Sequence, residues 1–544
     1  MRSGHLTTTA LAVAALVLVG GAPAQAIPDG GDRSSRSPSS SPAVSRVSGS
    51  DPYSTSVAAS RAAFPPGTRA DVVHLVSGTS PWESISATPA AVRQGGAVLL
   101  TRPDGIPSSV VAELGRLSPA AIVVVGSTAT LSDSVLVQAR ALAPEVRRVA
   151  GSDRYGTSRE LVRQAFPPGS STRAWVATGR AWQDGLVAGA AAAARGEPLL
   201  TVDGAASSLP SPTIALVREL GITSVTIAGD PGAVSPGIRA QLTALLGADN
   251  VTRASGADRY ATAARINALA SPGLTAGTAY VTSDRDVASA LAGGFLAGRT
   301  KRPLFSTLPY CVPDTLRPSL TAASVTRVTL LGGEGSVRRL VGQLEACSST
   351  TAAASPWVLV NKRNALRPTS YVPSGLVRPS VSNPNGALLR SDAAAALARM
   401  FSAARSEGAG RMSIVSGYRS SGTQHSLHRN RVTTHGRDYA DRWIARPGYS
   451  EHQTGLGVDI APVGDPSCRA HGCIGSTPQG AWLTRNAHRF GFVLRYESGH
   501  TAVTGYSGEP WHFRYVGTPL STAYRAGGWH TLEQFLAEPA APTY

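Results

Sequence analysis

His452 and Asp459 lie seven residues apart in Ser450-Glu451-His452-Gln453-Thr454-Gly455-Leu456-Gly457-Val458-Asp459. A second imidazole, His512, follows in Glu509-Pro510-Trp511-His512-Phe513-Arg514-Tyr515. Two imidazoles and one carboxylate are the ligand set of an open catalytic zinc site, in which water takes the fourth position. Glu509, not needed as a ligand, is free to take and return a proton. The alternative for Asp459 is a carboxylate that orients one of the histidines without ligating.

These groups need elements that aim them. A glycine-containing turn joins His452 to Asp459 and runs into the apolar Val458 and Ile460. Residues 509–515 read as a strand, with His512 and Arg514 on one face and Trp511, Phe513 and Tyr515 on the other. Pro510 is expected to stiffen a turn that keeps Glu509 off the metal. The run Met412 to Val415 continues through Ser416-Gly417-Tyr418 to Arg419, so a strand end can aim that guanidinium into the same pocket. Nine of the 11 histidines fall between His425 and His530. Of these, His425, His428 and His435 read as surface residues of a polar, Arg-rich helix. His471, His488, His500 and His530 lack an acidic or histidine partner at ligand spacing.

A chain of 544 residues is too long for one core and predicts several domains. Arg2, the apolar run Leu11 to Val19 and Ala24-Gln25-Ala26 read as a cleaved export signal over 1–26. The run is too short to span a bilayer, and no later stretch approaches that length. Residues 27–45, rich in Ser, Pro, Gly and Arg, predict a flexible leader. Four cysteines in an exported chain permit two disulfides, Cys311 with Cys347 and Cys468 with Cys473, with free buried thiols as the alternative. The formal charge of +17 comes from scattered arginines without a Lys/Arg run or interleaved aromatics, which argues against nucleic acid. It suits an anionic wall surface, or reflects composition bias alone.

Ahead of the histidine-rich part the chain repeats. Arg46-Val47-Ser48-Gly49-Ser50-Asp51 returns as Arg148-Val149-Ala150-Gly151-Ser152-Asp153 and as Arg253-Ala254-Ser255-Gly256-Ala257-Asp258. Two further landmarks keep step: the apolar runs ending in Gly126, Gly229 and Gly332, and the pairs Leu99-Leu100, Leu199-Leu200 and Leu304-Phe305. Each copy alternates short apolar runs with helical segments, the pattern of a small α/β layer with a parallel sheet. The repeated Asp and a following Thr can cap the next helix. The expected divisions are 46–147, 148–252 and 253–347, a Ser/Thr/Ala linker over 348–356, and a final domain over 357–537. A nucleotide-binding glycine loop is rejected, because the nearest match, Gly332-Gly333-Glu334-Gly335, lies at the last strand of the third copy.

The motif Ser-x-His-x-x-Gly-x-x-x-Asp at 450–459, with Glu-Pro-Trp-His at 509–512, resembles the VanY-type D-alanyl-D-alanine carboxypeptidases, zinc peptidases of bacterial peptidoglycan. The resemblance runs from Trp357 to about Phe535. It includes Val358-Leu359-Val360-Asn361-Lys362, Ser416-Gly417-Tyr418-Arg419-Ser420, Gln424 and Arg446-Pro447-Gly448-Tyr449. It departs at Gly457, where the family usually carries Ala. It implies an α+β zinc peptidase domain of the LAS type with one Zn2+ on His452, Asp459 and His512, and Glu509 as general base and acid. It places Arg419 beside the scissile carbonyl and assigns substrate binding to Arg419, Gln424 and Ser450.

The triplet resembles the cell-wall-binding repeat 2 family. That implies three tandem Rossmann-like α/β modules in a pseudo-threefold arrangement, attached noncovalently to an anionic wall polymer. The first copy carries Pro52 where the others have Arg154 and Arg259; those arginines either meet the polymer or pair with the repeated Asp to hold a turn. The combined expectation is a secreted, wall-attached bacterial zinc D-alanyl-D-alanine carboxypeptidase acting on peptidoglycan stem peptides. The alternatives are an endopeptidase of the same fold, such as one cutting L-alanyl-D-glutamate, or a wall-adhesion protein with incidental peptidase activity.

Overall fold

The computed structural model describes residues 42–463 and 471–544. The expected export signal, nearly all of the leader, and Cys468 with its pairing to Cys473 lie outside them. Among the described residues no helix is long and apolar enough to cross a membrane.

Three parallel four-stranded sheets form the first part. In the first, Ala97–Thr101, Val72–Ser77, Ala121–Val125 and Glu145–Val149 lie side by side. The second orders Leu199–Val202, Arg173–Thr178, Ser224–Ala228 and Val251–Ala254 in the same way. The third orders Leu304–Thr307, Gly277–Ser283, Val325–Leu331 and Ala43–Val47. The inner strands are largely apolar, as strands of a covered parallel sheet are; Ala121–Val125 is wholly apolar and buried along its whole length.

The last strand of each sheet is the one that opens the following sequence repeat. Glu145–Val149 completes the first sheet and Val251–Ala254 the second, while Ala43–Val47, at the start, completes the third. The residues expected as leader up to 45 are therefore strand from Ala43, paired in register from Ala43 against Arg327 to Val47 against Leu331. The arginine at the head of each repeat secures this closure. Arg46 donates to the Gly332 carbonyl at 2.6 Å, Arg148 to that of Gly126 at 2.8 Å and Arg253 to that of Gly229 at 2.7 Å. Those three glycines share φ = 106°, a left-handed conformation that a β-carbon disfavours, which explains the glycine ending each apolar run.

Asp51, Asp153 and Asp258 cap the helices Pro52–Ala63, Arg154–Ala165 and Arg259–Ala270. The adjacent arginines therefore do not pair with the repeated Asp. Arg154 donates to the Gly179 carbonyl and lies over the Trp82 ring at 4.7 Å, whereas Arg259 meets Asp284 at 3.3 Å. A β-carbon on Gly151 would stand 2.3 Å from the backbone of Gly156, so the turn and the helix start fit together only with glycine. Gly151→Ala is expected to destabilise the second module by about 1–3 kcal/mol, read as a lower melting temperature by calorimetry.

Helices Trp82–Arg93, Trp182–Arg195 and Val287–Arg299 pack against one another pairwise and join the modules. Their contact faces are small: Gly294 and Gly298 of the third lie against Leu186, Ala190 and Ala193 of the second. Cys311 and Cys347 form a disulfide in the third module.

The final domain is built on an antiparallel sheet ordered Met412–Ser416, Gly457–Pro462, Glu509–Tyr515 and Phe492–Tyr496, backed by the helix Ser391–Ser406. It does not hang free on the short linker. Tyr310, Cys311 and Leu340 of the third module share one apolar cluster with Trp357, Leu520 and Phe535. Arg338 lies 4.4 Å over the Trp529 ring and donates to the Gln534 carbonyl at 3.0 Å. The final domain is thus held against the third repeat by a shared apolar cluster.

Candidate metal centre

Three neighbouring segments of the final domain supply the site. Glu451–Thr454 forms a 3-10 turn that ends at Gly455 in the left-handed region (φ 69°) and delivers the chain into the strand Gly457–Pro462. Asp459 on that strand lies directly across from His512 on Glu509–Tyr515, and from Ser416 on the other side. The ligand atoms of His452, Asp459 and His512 all lie within 4.8 Å of one another, and all three residues are buried. A β-carbon on Gly457 would meet His452 and His512 at 3.3 Å, a tight but tolerable fit for alanine.

Hydrogen bonds fix how each ring faces the others. His452 Nδ1 lies 2.7 Å from the Gly417 carbonyl, which can only accept, so Nδ1 carries the hydrogen. Burial, with the nearby Arg419 charge, pushes the His452 pKa down to about 4, so the ring is neutral and Nε2 presents a lone pair. That lone pair faces an Asp459 oxygen 3.3 Å away. A metal cation between these two electron-pair donors would satisfy both. His512 presents Nδ1 to Asp459 at 3.0 Å and Nε2 to Glu451 at 3.2 Å. Burial lowers the His512 pKa, but the hydrogen bonds its ring donates to these two carboxylates outweigh that and raise it to about 9; a metal ion would displace the Nδ1 proton. This donor set fits zinc, with both rings braced from behind by backbone or carboxylate.

Glu509 opens its strand beside the ligands, with a carboxylate oxygen 4.0 Å from His512 Nδ1. Burial lifts its pKa, with His512 pulling down and Asp459 pushing up, to about 7. Pro510 does not stiffen a turn as expected. It lies within the strand, where the pairing with Phe492–Tyr496 shifts register between Leu494 and Tyr496. The expected apolar face is present, with Phe513 in the core and Trp511 and Tyr515 packed against it, and Trp511 also lines the cleft with His512.

The cleft over these groups measures about 460 Å³. Arg419, Gln424 and Ser450 all line it. Arg419 is half-buried, its Nε without a partner among the described residues, and its charge acts on Asp459 and Glu509. Gln424 is buried, donates to the Ala445 carbonyl at 2.7 Å and leaves Oε1 unpartnered. Leu427, Tyr439 and Trp443, partly exposed, form an apolar wall of the same cleft.

Sequence reasoning passed over the support beneath the ligands. Glu451 receives Arg495 at 2.8 Å, Arg514 at 2.9 Å and His512 at 3.2 Å, and Arg495 also pairs with Glu533 at 2.7 Å. Glu451, Glu533, Arg495 and Arg514 are buried completely or nearly so. Burial opposes ionisation of Glu451, yet the two guanidinium charges hold its pKa far below the usual carboxylate range. A glutamate within the histidine motif and an arginine two positions after His512 were the available signals. Three histidine assignments also change. His428, expected at the surface, meets Asp441 at 2.8 Å, and His500 and His530, expected without partners, stack on each other beside Glu497.

A buried two-histidine, one-aspartate cluster with a free glutamate, on the end of three parallel-sheet modules, defines a metallopeptidase-like domain carried on repeats. Residues 386–518 match the VanY D-alanyl-D-alanine carboxypeptidase family, and residues 46–136, 148–239 and 253–341 match cell wall binding domain 2 (CWB2). The chain belongs to these families: three CWB2 repeats make up half of its length, and a VanY domain follows them.

It is 43% identical over 169 residues to YodJ of Bacillus subtilis (strain 168), which carries a provisional carboxypeptidase name, covering 29% of this chain and 59% of that one. It is 38% identical over 134 residues to a D-alanyl-D-alanine carboxypeptidase of Enterococcus faecalis, covering 23% of this chain and 46% of that one. The chain thus spans about half the length of these relatives. The solved structure of Cwp6 from Clostridium difficile shares the fold, with a TM-score of 0.51 at 21% identity over 74% of this chain and 64% of that one.

Proposed function

We propose that this chain is a secreted, wall-attached zinc D-alanyl-D-alanine carboxypeptidase that removes the terminal residue of peptidoglycan stem peptides. The observation that carries the reading is the convergence of His452, Asp459 and His512 within 4.8 Å of one another beside Glu509. The Enterococcus faecalis relative, named a D-alanyl-D-alanine carboxypeptidase, supports the choice of bond. The repeats support attachment to an anionic wall polymer, and their mutually packed central helices support a pseudo-threefold arrangement. The antiparallel sheet carrying the ligands supports a LAS-type domain.

His452 through Nε2, Asp459 through a carboxylate oxygen and His512 through Nδ1 would hold one Zn2+. The ion supplies Lewis-acid polarisation of the scissile carbonyl and acidifies the attacking water. Glu509, ionised, accepts the proton of that water and returns it to the leaving amine nitrogen. Arg419 aims fixed positive charge at the carbonyl oxygen as it becomes an oxyanion. Gln424, through its unpartnered Oε1, and Ser450 orient the peptide by hydrogen bonds.

Arg419→Ala is expected to lower kcat by roughly 10²–10³-fold on a soluble pentapeptide ending in D-Ala-D-Ala, as for loss of an oxyanion donor. An effect on KM alone would reassign Arg419 to ground-state binding. Purified peptidoglycan incubated with the wild-type protein separates the readings by product. Free D-alanine supports the proposal, larger fragments point to the endopeptidase of the same fold, and no release points to adhesion as the main role.

A further inference from the structure

Glu497, His500 and His530 offer a second constellation of metal donors, away from the first. Their ligand atoms lie within 4.8 Å of one another. His530 Nδ1 meets a Glu497 carboxylate oxygen at 2.7 Å, and the His500 and His530 rings stack at 4.7 Å with planes 11° apart. One carboxylate and two imidazoles suit zinc or a similar borderline ion, which binds nitrogen at about 2.0–2.1 Å and leaves a position for water. The side chains are reachable from solvent, His530 being 51% exposed and Glu497 40%.

Glu497 and His500 lie on the connection that leads to Glu509, and His530 comes from a segment near the C-terminus. Glu497 directly follows the strand Phe492–Tyr496, whose Tyr496 ring lies 5.0 Å from that of His512. His500 immediately precedes the short helix Thr501–Thr504, on the connection from that strand to Glu509. Ser498 within the same stretch packs against Gly508, the residue before Glu509. His530 precedes Thr531, the cap of the helix Leu532–Phe535 that carries Glu533 to Arg495. An ion held by all three would tie the end of one sheet strand, the approach to Glu509 and the C-terminal helix together. Arg525 and His488 line a separate, smaller pocket together with Glu497 and His530, and burial, then the Arg525 charge, lowers the pKa of His488.

We propose that Glu497, His500 and His530 form a second site for a divalent zinc-class ion, which braces the 497–508 segment leading to Glu509. This proposal does not rest on the catalytic reading, because its ligands are separate from His452, Asp459 and His512.

The test counts bound metal on the full-length protein. Chelator-stripped protein is equilibrated with Zn2+, freed of excess ion and analysed by elemental mass spectrometry. Two equivalents are expected for the wild type, one for His500→Ala/His530→Ala, and one for His452→Ala/Asp459→Asn. In the last variant a chelator-reversible rise in melting temperature on adding Zn2+ is also expected, and Glu497→Gln added to it should abolish that rise. If His500→Ala/His530→Ala retains the wild-type stoichiometry, the three residues form a hydrogen-bonded cluster without metal and the proposal is wrong. A catalytic site that fails to bind would show as a loss confined to the other ligand set. Melting curves of each variant without metal show that a lost equivalent is not a lost fold.

Discussion

Glu509→Ala leaves a protein that folds and binds its metal but releases D-alanine about 10²–10⁴-fold more slowly than the wild type. Glu509 makes no ligand contact in the arrangement of His452, Asp459 and His512, so its truncation removes the proton carrier and spares the metal grip. The measurement is single-turnover release of D-alanine from a pentapeptide, with metal content determined on the same samples. The pH profile adds a second check. Glu509 must be ionised to accept a proton, so activity falls as pH drops through its pKa. Burial places that value at about 7 before an ion is bound. A cation beside the carboxylate favours the charged form, so the acidic limb of the wild-type profile lies at or below 7. Glu509→Ala should lack that limb in its residual activity.

The second large effect belongs to Glu451, buried behind His512. Glu451→Ala leaves Arg495 and Arg514 in the core without their shared carboxylate, and removing one partner from a buried ion network costs about 3–5 kcal/mol. Calorimetry of the peptidase transition reads this directly. The milder Glu451→Gln keeps the volume but removes the charge that orients His512 from behind. Its Zn2+ affinity is expected to fall by about 10–100-fold, the usual effect of losing such an outer partner. A change in stability with no change in metal affinity would make Glu451 a purely structural anchor.

Much of this architecture was legible because it repeats. Arg46, Arg148 and Arg253, with the glycines at 126, 229 and 332, recur at fixed places in the sequence because one hydrogen bond, from arginine to glycine carbonyl, is made three times. Sequence periodicity could not tell that each repeat begins with the final strand of the preceding sheet, so that Ala43–Val47 closes the third. A short strand of mixed polarity at a sheet edge reads as leader until its partner is known.

The clustering of His452, Asp459 and His512 was legible for a related reason. His452 and Asp459 are joined by a short turn, and His512 sits in a strand with its own motif, so local spacing marked the three candidates. What remained hidden depended on distant partners. Arg495 meets Glu451 and Glu533 only through the fold, and His530 meets Glu497 across 33 positions. Pro510 was misplaced because proline signals a turn in isolation, whereas here it occupies an irregular place in a strand.

The account depends most on one ion held by His452, Asp459 and His512. A crystal of the zinc-loaded protein, measured on both sides of the zinc absorption edge, tests it directly. The account predicts an anomalous peak about 2.0–2.1 Å from His452 Nε2 and His512 Nδ1, in contact with Asp459 and with Glu509 outside the first coordination sphere. A zinc-loaded crystal with no peak among those three side chains, or with Glu509 as a direct ligand, would contradict it.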